Sequence, residues 1–226
     1  MCGRFAFYSA AEAVNDLFGV TLPDVSVLAQ YNIAPTDLAA VIRMDTEGQR
    51  QLSMMRWGLV PFWAKDRKMA SRMINARAET VAEKPAYRKA FAARRCLVPA
   101  DGYYEWLTIA GKKQPHYIHR SDEQPLAMAG IWETWRGDDE PLETFSVLTM
   151  PSAGPISHLH HRMPVMLDDV DAEHWLAGSD NNPPVFREMN AEGYADQLVS
   201  WPVSTAVNNA RNEDPRLIEP LPDDES

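Results

Sequence analysis

The sequence contains very little cysteine and no long apolar run. Cys2 and Cys96, the two cysteines of the 226 residues, are too few for a disulfide framework or a thiolate zinc site. No stretch approaches the roughly 20 consecutive apolar residues that cross a membrane as a helix. The first twenty residues also lack the basic start and apolar core of a secretory signal. We therefore expect a cytoplasmic protein with reduced thiols and no membrane segment.

Positive charge is also scarce. The chain has 22 Lys and Arg against 32 Asp and Glu, a formal net charge of -10, which by itself argues against a nucleic-acid partner. Residues 62–95 are the exception, with ten basic and three acidic residues. The acidic residues collect elsewhere, including a tail from about residue 219 that we expect to be flexible. A basic segment within an acidic chain keeps nucleic acid among the partners to consider.

Strand patterns outnumber helical ones and do not alternate with them. Helices are predicted at three places: 10–18 between Ser9 and Gly19, Thr80–Arg94, and 172–177 after Asp171. Strands are predicted at 38–44, at 51–59, in six segments between 96 and 167, and at 198–203, with 61–73 as an exposed loop. The pattern predicts an α+β fold in a single domain over 1–226, with a curved or barrel-like, mostly antiparallel sheet and flanking helices.

Cys2 directly follows Met1, and removal of that methionine would leave one residue with a free α-amine and a thiol. Their reference pKa values lie near 8 and 8.5, so a usable fraction of each nucleophile is present at neutral pH. The amine can condense with an aldehyde to an imine, and the thiol can close on the imine to give a thiazolidine. The same end could instead hydrolyse an amide, with the amine as base for the thiol. Cys96, in RRCLVPA, is predicted to be a buried strand residue.

Imine chemistry needs an acid and a group that moves a proton. Glu105 in DGYYEW lies between two aromatic residues and is the candidate acid, although a strand could equally turn it to solvent. SHLHHRMP supplies His158, His160 and His161, and an extended backbone would place the first two on one face and permit a metal site. No second ligand cluster accompanies them. We therefore favour a proton-transferring histidine and expect neither metal nor cofactor.

Asn75 and Arg77 lie two residues apart in MINARAET, so an extended backbone would point both the same way. An amide beside a guanidinium suits a sugar oxygen beside a phosphate. Further candidates for a nucleic-acid contact are Arg4 and Arg162 for phosphates and Trp63 or Phe62 for stacking on a base.

Six separated motifs, MCGRF, YNIAP, WGLVPFW, INARAET, ADGYYEW and HHRMP, together resemble the SRAP (SOS response-associated peptidase) family over nearly the whole chain. The resemblance implies a protein that shields abasic sites in single-stranded DNA through a thiazolidine crosslink from its N-terminal cysteine, with secondary autopeptidase and lyase activities. The site residues that it implies are Cys2 as nucleophile, Asn75 for sugar oxygens, Glu105 as proton donor, His160 for ring opening, and Arg4, Arg77 and Arg162 for phosphates.

The chain departs from the family pattern at two places. The loop at 64–73 is longer and more basic than the pattern, and His161 stands where an acidic or polar residue is usual. Two other functions are compatible with the residues, an N-terminal-cysteine hydrolase or peptidase and a non-covalent binder of single-stranded DNA. Cys2→Ala would abolish crosslinking and hydrolysis but spare non-covalent binding. In each case we expect a monomer.

Overall fold

Strands dominate the computed structural model, which describes residues 2–20, 29–137, 140–178 and 194–222. The strands are β1 (Phe5–Phe7), β2 (Gln30–Ile33), β3 (Leu38–Met44), β4 (Arg50–Trp57), β5 (Asn75–Arg77), β6 (Arg95–Ala100), β7 (Gly102–Ile109), β8 (Lys112–Arg120), β9 (Leu126–Trp135), β10 (Leu142–Pro151), β11 (Arg162–Pro164) and β12 (Leu198–Pro202). The helices are α1 (Ala11–Phe18), α2 (Arg88–Ala93) and α3 (Asp169–Ala177). Short 3-10 turns cover Arg67–Arg72, Gly154–His158, Ala195–Gln197, Thr205–Asn208 and Pro215–Ile218.

The strands form two sheets. The first has the order β12-β8-β7-β1-β2 and is antiparallel throughout. In the second, β4, β3, β6, β9 and β10 pair in turn and β10 pairs back with β4, which closes a ring of five strands. We call this ring the barrel. Among the described strands only β4 and β5 run parallel to their partner β10, so the predicted α+β class and the barrel-like, mostly antiparallel sheet are confirmed.

One apolar core joins the two sheets. Phe5 and Tyr103 of the first sheet and Trp57 and Phe145 of the barrel are fully buried in the same cluster. The ring centroids of Phe5 and Trp57 lie 5.0 Å apart in an edge-to-face arrangement, which is favourable for aromatic pairs. We call the side of the first sheet that meets this core its inner face.

The outer face of the first sheet is covered by the C-terminal segment. Val203, Val207 and Leu217 pack there against Tyr104 and Tyr117. The Leu221 amide then donates to the Pro202 carbonyl at 2.9 Å, which holds the first residues of the predicted acidic tail beside β12. Residues 223–226 of that tail lie outside the described residues.

The start of the first helix differs from the prediction. α1 is preceded by Ala10 with no side-chain cap, because the Ser9 hydroxyl and amide instead donate to the carboxylate of Asp101. The Ser9 side chain, which the sequence predicts as the helix cap, therefore binds a residue that is distant in the sequence. The end is as predicted, since Gly19 adopts φ 59°, a left-handed conformation that favours glycine.

The other two helices also begin at different residues. α2 covers only Arg88–Ala93 of the predicted Thr80–Arg94, because hydrogen-bonded turns that include Pro85 occupy the first part. α3 begins two residues before the predicted cap, since the Asp168 carboxylate accepts from the Asp171 amide at 2.8 Å.

The segment at 61–73, predicted as an exposed loop, folds against the barrel. It contains the 3-10 turn Arg67–Arg72 and buries Ala64, Ala70 and Met73. Gly58 permits this approach, because a Cβ at that position would lie 2.4 Å from the Ala70 carbonyl oxygen. Within the described residues, the helices are too short and too polar to span a membrane.

Candidate active site at the amino terminus

Cys2 lies immediately before β1 and is completely buried. The Asn75 side-chain amide donates to the Cys2 carbonyl oxygen at 2.7 Å, which fixes the backbone of the candidate nucleophile. Burial, followed by the nearby charge of Glu105, raises the pKa of the Cys2 thiol far above its ordinary value. The thiol is therefore uncharged at neutral pH, and the charge of a carboxyl group acts on it.

The pairing of β1 with β7 brings Glu105 to Cys2. Phe5 lies opposite Tyr103 in this antiparallel pair, so the chain before Phe5 runs along β7 towards Glu105. Tyr103 and Glu105 are two residues apart on the strand and share the inner face. Glu105 is 4% exposed. The alternative of a solvent-facing carboxylate is therefore wrong.

Tyr103 is a neighbour of this site that the sequence reasoning missed. Its side chain is fully buried, and burial together with the proximity of Cys2 and Glu105 raises the pKa of its hydroxyl well above the ordinary value. The alternation of β7 could have revealed it, since a residue two positions before a functional strand residue faces the same way.

β5 places Asn75 and Arg77 as predicted, on one side of an extended backbone. Ala76, between them, is buried on the other side. Asn75 is also held through its own carbonyl, which accepts from the Tyr87 hydroxyl at 3.2 Å. Its side-chain oxygen Oδ1 is buried and has no hydrogen-bond partner within the described residues. The site therefore has an amide oxygen with capacity for a ligand.

Residues Gly154–His158 form a 3-10 turn, and His160 lies just after it. The turn replaces the extended stretch that would place His158 and His160 on one face. Its ring nitrogen Nδ1 lies 2.9 Å from the Arg162 amide and 3.2 Å from the Arg162 carbonyl oxygen, so it can accept from one or donate to the other. The ring of His161 stacks on it at 4.2 Å, and His160 lowers the pKa of His161. The described residues contain no cluster of three or more potential metal ligands.

The three candidate phosphate-binding arginines have different surroundings. Arg162 is buried on β11, where its guanidinium forms a two-pronged ion pair with Glu79 and donates to the Thr149 carbonyl. Arg4 donates to Asn32 Oδ1 at 2.6 Å and to the Val207 carbonyl at 2.7 Å. The guanidinium groups of Arg162 and Arg4 therefore already bind other groups of the protein.

Arg77 is exposed, with no hydrogen bond or ion pair from its side chain to another described residue. It is thus the candidate whose guanidinium is open to an anion. Phosphate binding by all three arginines stays a prediction.

Two exposed aromatic side chains lie in the basic segment. Trp63 is 50% exposed and Phe62 is 45% exposed. The Lys89 ammonium lies 4.3 Å from the centroid of the Phe62 ring, a cation–π distance. Large exposed rings next to basic residues can stack on the bases of a single strand, and this role of Trp63 also stays a prediction.

Comparisons with known proteins identify the family of this chain. A family described as SOS response associated peptidase (SRAP) matches residues 1–210. Abasic site processing protein YoqW of Bacillus subtilis is 37% identical, with 97% of this chain and 99% of the relative covered. Abasic site processing protein YedK of Escherichia coli is 31% identical over 98% of this chain and 100% of its own.

A solved structure shares the fold. A crystal structure of a protein from Bacteroides thetaiotaomicron matches with a TM-score of 0.82 and 27% identity, covering 97% of this chain and 100% of the other. Because the family match spans nearly the whole chain and the relatives align end to end, this chain belongs to the SOS response associated peptidase family.

Proposed function

We propose that this protein processes abasic sites in single-stranded DNA by bonding to them covalently through Cys2. The observation that carries the proposal is the convergence on Cys2 of the Asn75 amide and the Glu105 carboxyl group. An abasic deoxyribose has an aldehyde in its open-chain form, and a 1,2-aminothiol captures aldehydes. The names of the relatives, which describe them as abasic site processing proteins, support the same substrate.

The crosslink requires a free α-amine on Cys2, and therefore the removal of Met1. The amine attacks the aldehyde carbon. Glu105 gives a proton to the hydroxyl group that this attack forms, the hydroxyl departs as water, and an iminium remains. The Cys2 sulfur then adds to the iminium carbon, the thiol proton is released, and the C=N electron pair returns to nitrogen. The product is a thiazolidine, with the net loss of one water. Because burial and Glu105 raise the pKa of the thiol, the sulfur enters as the second nucleophile.

The remaining residues take supporting roles in this proposal. Asn75 holds the Cys2 backbone and offers Oδ1 to a sugar hydroxyl. His160 assists opening of the sugar ring. Arg77 contacts the DNA phosphates directly, with Arg4 and Arg162 at the border of the same site, and Trp63 stacks on a base.

Two secondary activities would use the same groups. A lyase reaction at the abasic site and autocatalytic trimming of the N-terminal residue both need a nucleophile and a proton donor, which Cys2 and Glu105 supply. We infer that the protein acts as a monomer on a single strand.

A denaturing gel tests the proposal. Purified protein, with the loss of Met1 verified by mass spectrometry, is mixed with a single-stranded oligonucleotide that carries one abasic site. We expect a heat-stable shifted band for the unsubstituted protein and for Cys96→Ala, a control that removes the other buried thiol. Cys2→Ala, and intact DNA with any variant, should give no shifted band.

The absence of a band from Met1-free protein would overturn the proposal. Peptide hydrolysis lost in Cys2→Ala would then support the hydrolase. Non-covalent binding of the oligonucleotide that Cys2→Ala retains would support a plain DNA binder.

A further inference from the structure

His116 lies directly opposite Glu105 in the antiparallel pair of β7 and β8. Side chains of residues paired in this way project to the same face with their Cβ atoms close together. The neighbouring pair, Tyr103 and Ile118, is fully buried in the core between the sheets, so this is the inner face. A histidine to which the proposed mechanism gives no role is thus the cross-strand neighbour of the proposed proton donor.

His116 is only partly buried, but its ring nitrogen Nδ1 is buried and has no hydrogen-bond partner in the described part of the chain. Pro202 of β12 lies opposite His116 on its other side, and the 3-10 turn Gly154–His158 packs against β12. This turn ends in His158. Burial, followed by the charge of His158, lowers the pKa of His116.

Solvent exposure increases from Glu105 through His116 to His158. Glu105 is buried, His116 is partly exposed and His158 is exposed. Nδ1 of His158 lies 2.8 Å from the Pro155 carbonyl oxygen, which can only accept, so Nδ1 carries the proton. In the neutral ring Nε2 is then the nitrogen that accepts a proton.

We propose that His116 and His158 relay protons between buried Glu105 and solvent. The relay rests on the proposed function, in which Glu105 gives one proton to the departing hydroxyl for each crosslink formed. The thiol releases one proton when the sulfur–carbon bond forms, so the proton count balances. A relay returns a proton to the carboxylate, because an imidazole accepts a proton on one nitrogen and releases one from the other. His116 therefore acts through Glu105 and touches no reacting atom.

Few other titratable groups face His116. The residues that share its face on the paired strands are Glu105 and Tyr103 of β7, Gln114 and Ile118 of β8, and Ser200 and Pro202 of β12. The 3-10 turn that packs against β12 adds His158. Burial raises the pKa of the Tyr103 hydroxyl well above neutral, so Tyr103 does not titrate with the relay. The histidines and Glu105 are then the remaining ionisable groups of the proposed relay.

Crosslinking rates of His116→Phe test the relay, with His119→Phe as the matched control. His119 lies on the same strand but on the outer face, where it packs on Tyr117 and Trp201. We expect crosslinking by His116→Phe to be about tenfold slower, since part of a general acid's contribution is lost. In His116→Ala, which leaves a space of the size of the ring, imidazole added to the solution should restore the rate. His119→Phe should crosslink at the rate of the unsubstituted protein.

Imidazole rescue separates the relay from a packing role, because a small base replaces a missing proton carrier but does not repair misplaced side chains. An unchanged rate for His116→Phe would overturn the relay. So would a slower rate of His116→Ala that imidazole does not restore.

A second measurement is independent of crosslinking. NMR titration of the histidine rings should show a higher pKa for His116 in His158→Gln, because removal of a neighbouring positive charge favours the imidazolium. An unchanged His116 titration would overturn the relay even in a protein that crosslinks. Failure of the unsubstituted protein to crosslink, with the His116 shift present, would overturn the proposed function alone.

Discussion

The start of β1 and the barrel each contain one buried cysteine, and their surroundings differ. Both thiols are fully buried, and burial raises the pKa of both. In the barrel, Cys96 faces Gly130 of β9, where an added Cβ would lie 2.9 Å from the Cys96 sulfur. At the start of β1, Cys2 instead has the Asn75 amide on its carbonyl and Glu105 nearby. Burial alone therefore does not distinguish the proposed nucleophile from Cys96, and the hydrogen bond from Asn75 and the carboxyl group of Glu105 do.

The polar groups of the two regions are used differently. In the barrel, Glu133 pairs with Arg94 at 2.6 Å, and the Thr144 hydroxyl accepts from the Val60 amide at 2.9 Å. These groups stabilise the fold by bonding to one another. At the site, Oδ1 of Asn75 has no hydrogen-bond partner among the described residues, as Oγ of Ser146 has none in the barrel, but Asn75 is the side chain that holds the Cys2 carbonyl.

The largest difference should come from replacing one buried carboxylate in each region. Glu105→Gln removes the proposed proton donor and should slow crosslinking about a hundredfold, with little change in stability. Glu133→Gln should leave the rate unchanged and lower the free energy of unfolding by about 1–3 kcal/mol, because it weakens a charged hydrogen bond to Arg94. Crosslinking kinetics and urea denaturation check both. Equal crosslinking rates for Glu105→Gln and Glu133→Gln would contradict the proposed difference between the site and the barrel.

Side-chain hydrogen bonds to the backbone provide a second contrast. Asn75→Ala removes the donor to the Cys2 carbonyl and should slow crosslinking about tenfold, because the nucleophile is less well oriented. Thr144→Val removes the acceptor for the Val60 amide and should cost about 1–2 kcal/mol of stability with no effect on the rate. The same two assays apply. A slower rate in the barrel variant would show that the regions are not separable.

The pH dependence of the two thiols should be alike. A raised pKa means that each thiol stays protonated above the pH at which an ordinary thiol ionises, so iodoacetamide should modify neither rapidly in the native protein. The unfolded chain binds fewer protons at alkaline pH, so the contribution of the thiols to stability is present below the ordinary thiol pKa and declines above it. Mass spectrometry of alkylated protein and denaturation at increasing pH measure these effects. Rapid native modification of Cys96 would contradict them.

The smallest effect should come from the surface of the barrel. Arg43 and Glu143 form a two-pronged ion pair with a shortest distance of 2.7 Å, and both side chains are partly exposed. Glu143→Gln should therefore lower the free energy of unfolding by no more than about 1 kcal/mol and leave crosslinking unchanged. Urea denaturation at low and high salt measures this, and a loss that does not shrink with salt would contradict a screened surface pair.

The sequence by itself determined the strand-rich class and the residues of the candidate site. Alternating apolar residues between turn signals gave most strands to within a few residues, because this pattern is local. The position of Cys2 and the motifs around Asn75 and Glu105 also identified candidate chemistry without coordinates. Helix starts were less predictable, since the hydroxyl of Ser9 binds Asp101 of the β6–β7 corner and not its own helix.

Only the tertiary structure decided which way these side chains face and what they contact. Glu105 points inward because β1 pairs with β7 in one register, and a shift of one residue would turn it to the other face. Arg4 and Arg162 are held by Asn32 and Glu79, partners far away in the sequence. His116 meets Glu105 for the same physical reason, because pairing between strands is a non-local contact that local residue patterns do not specify.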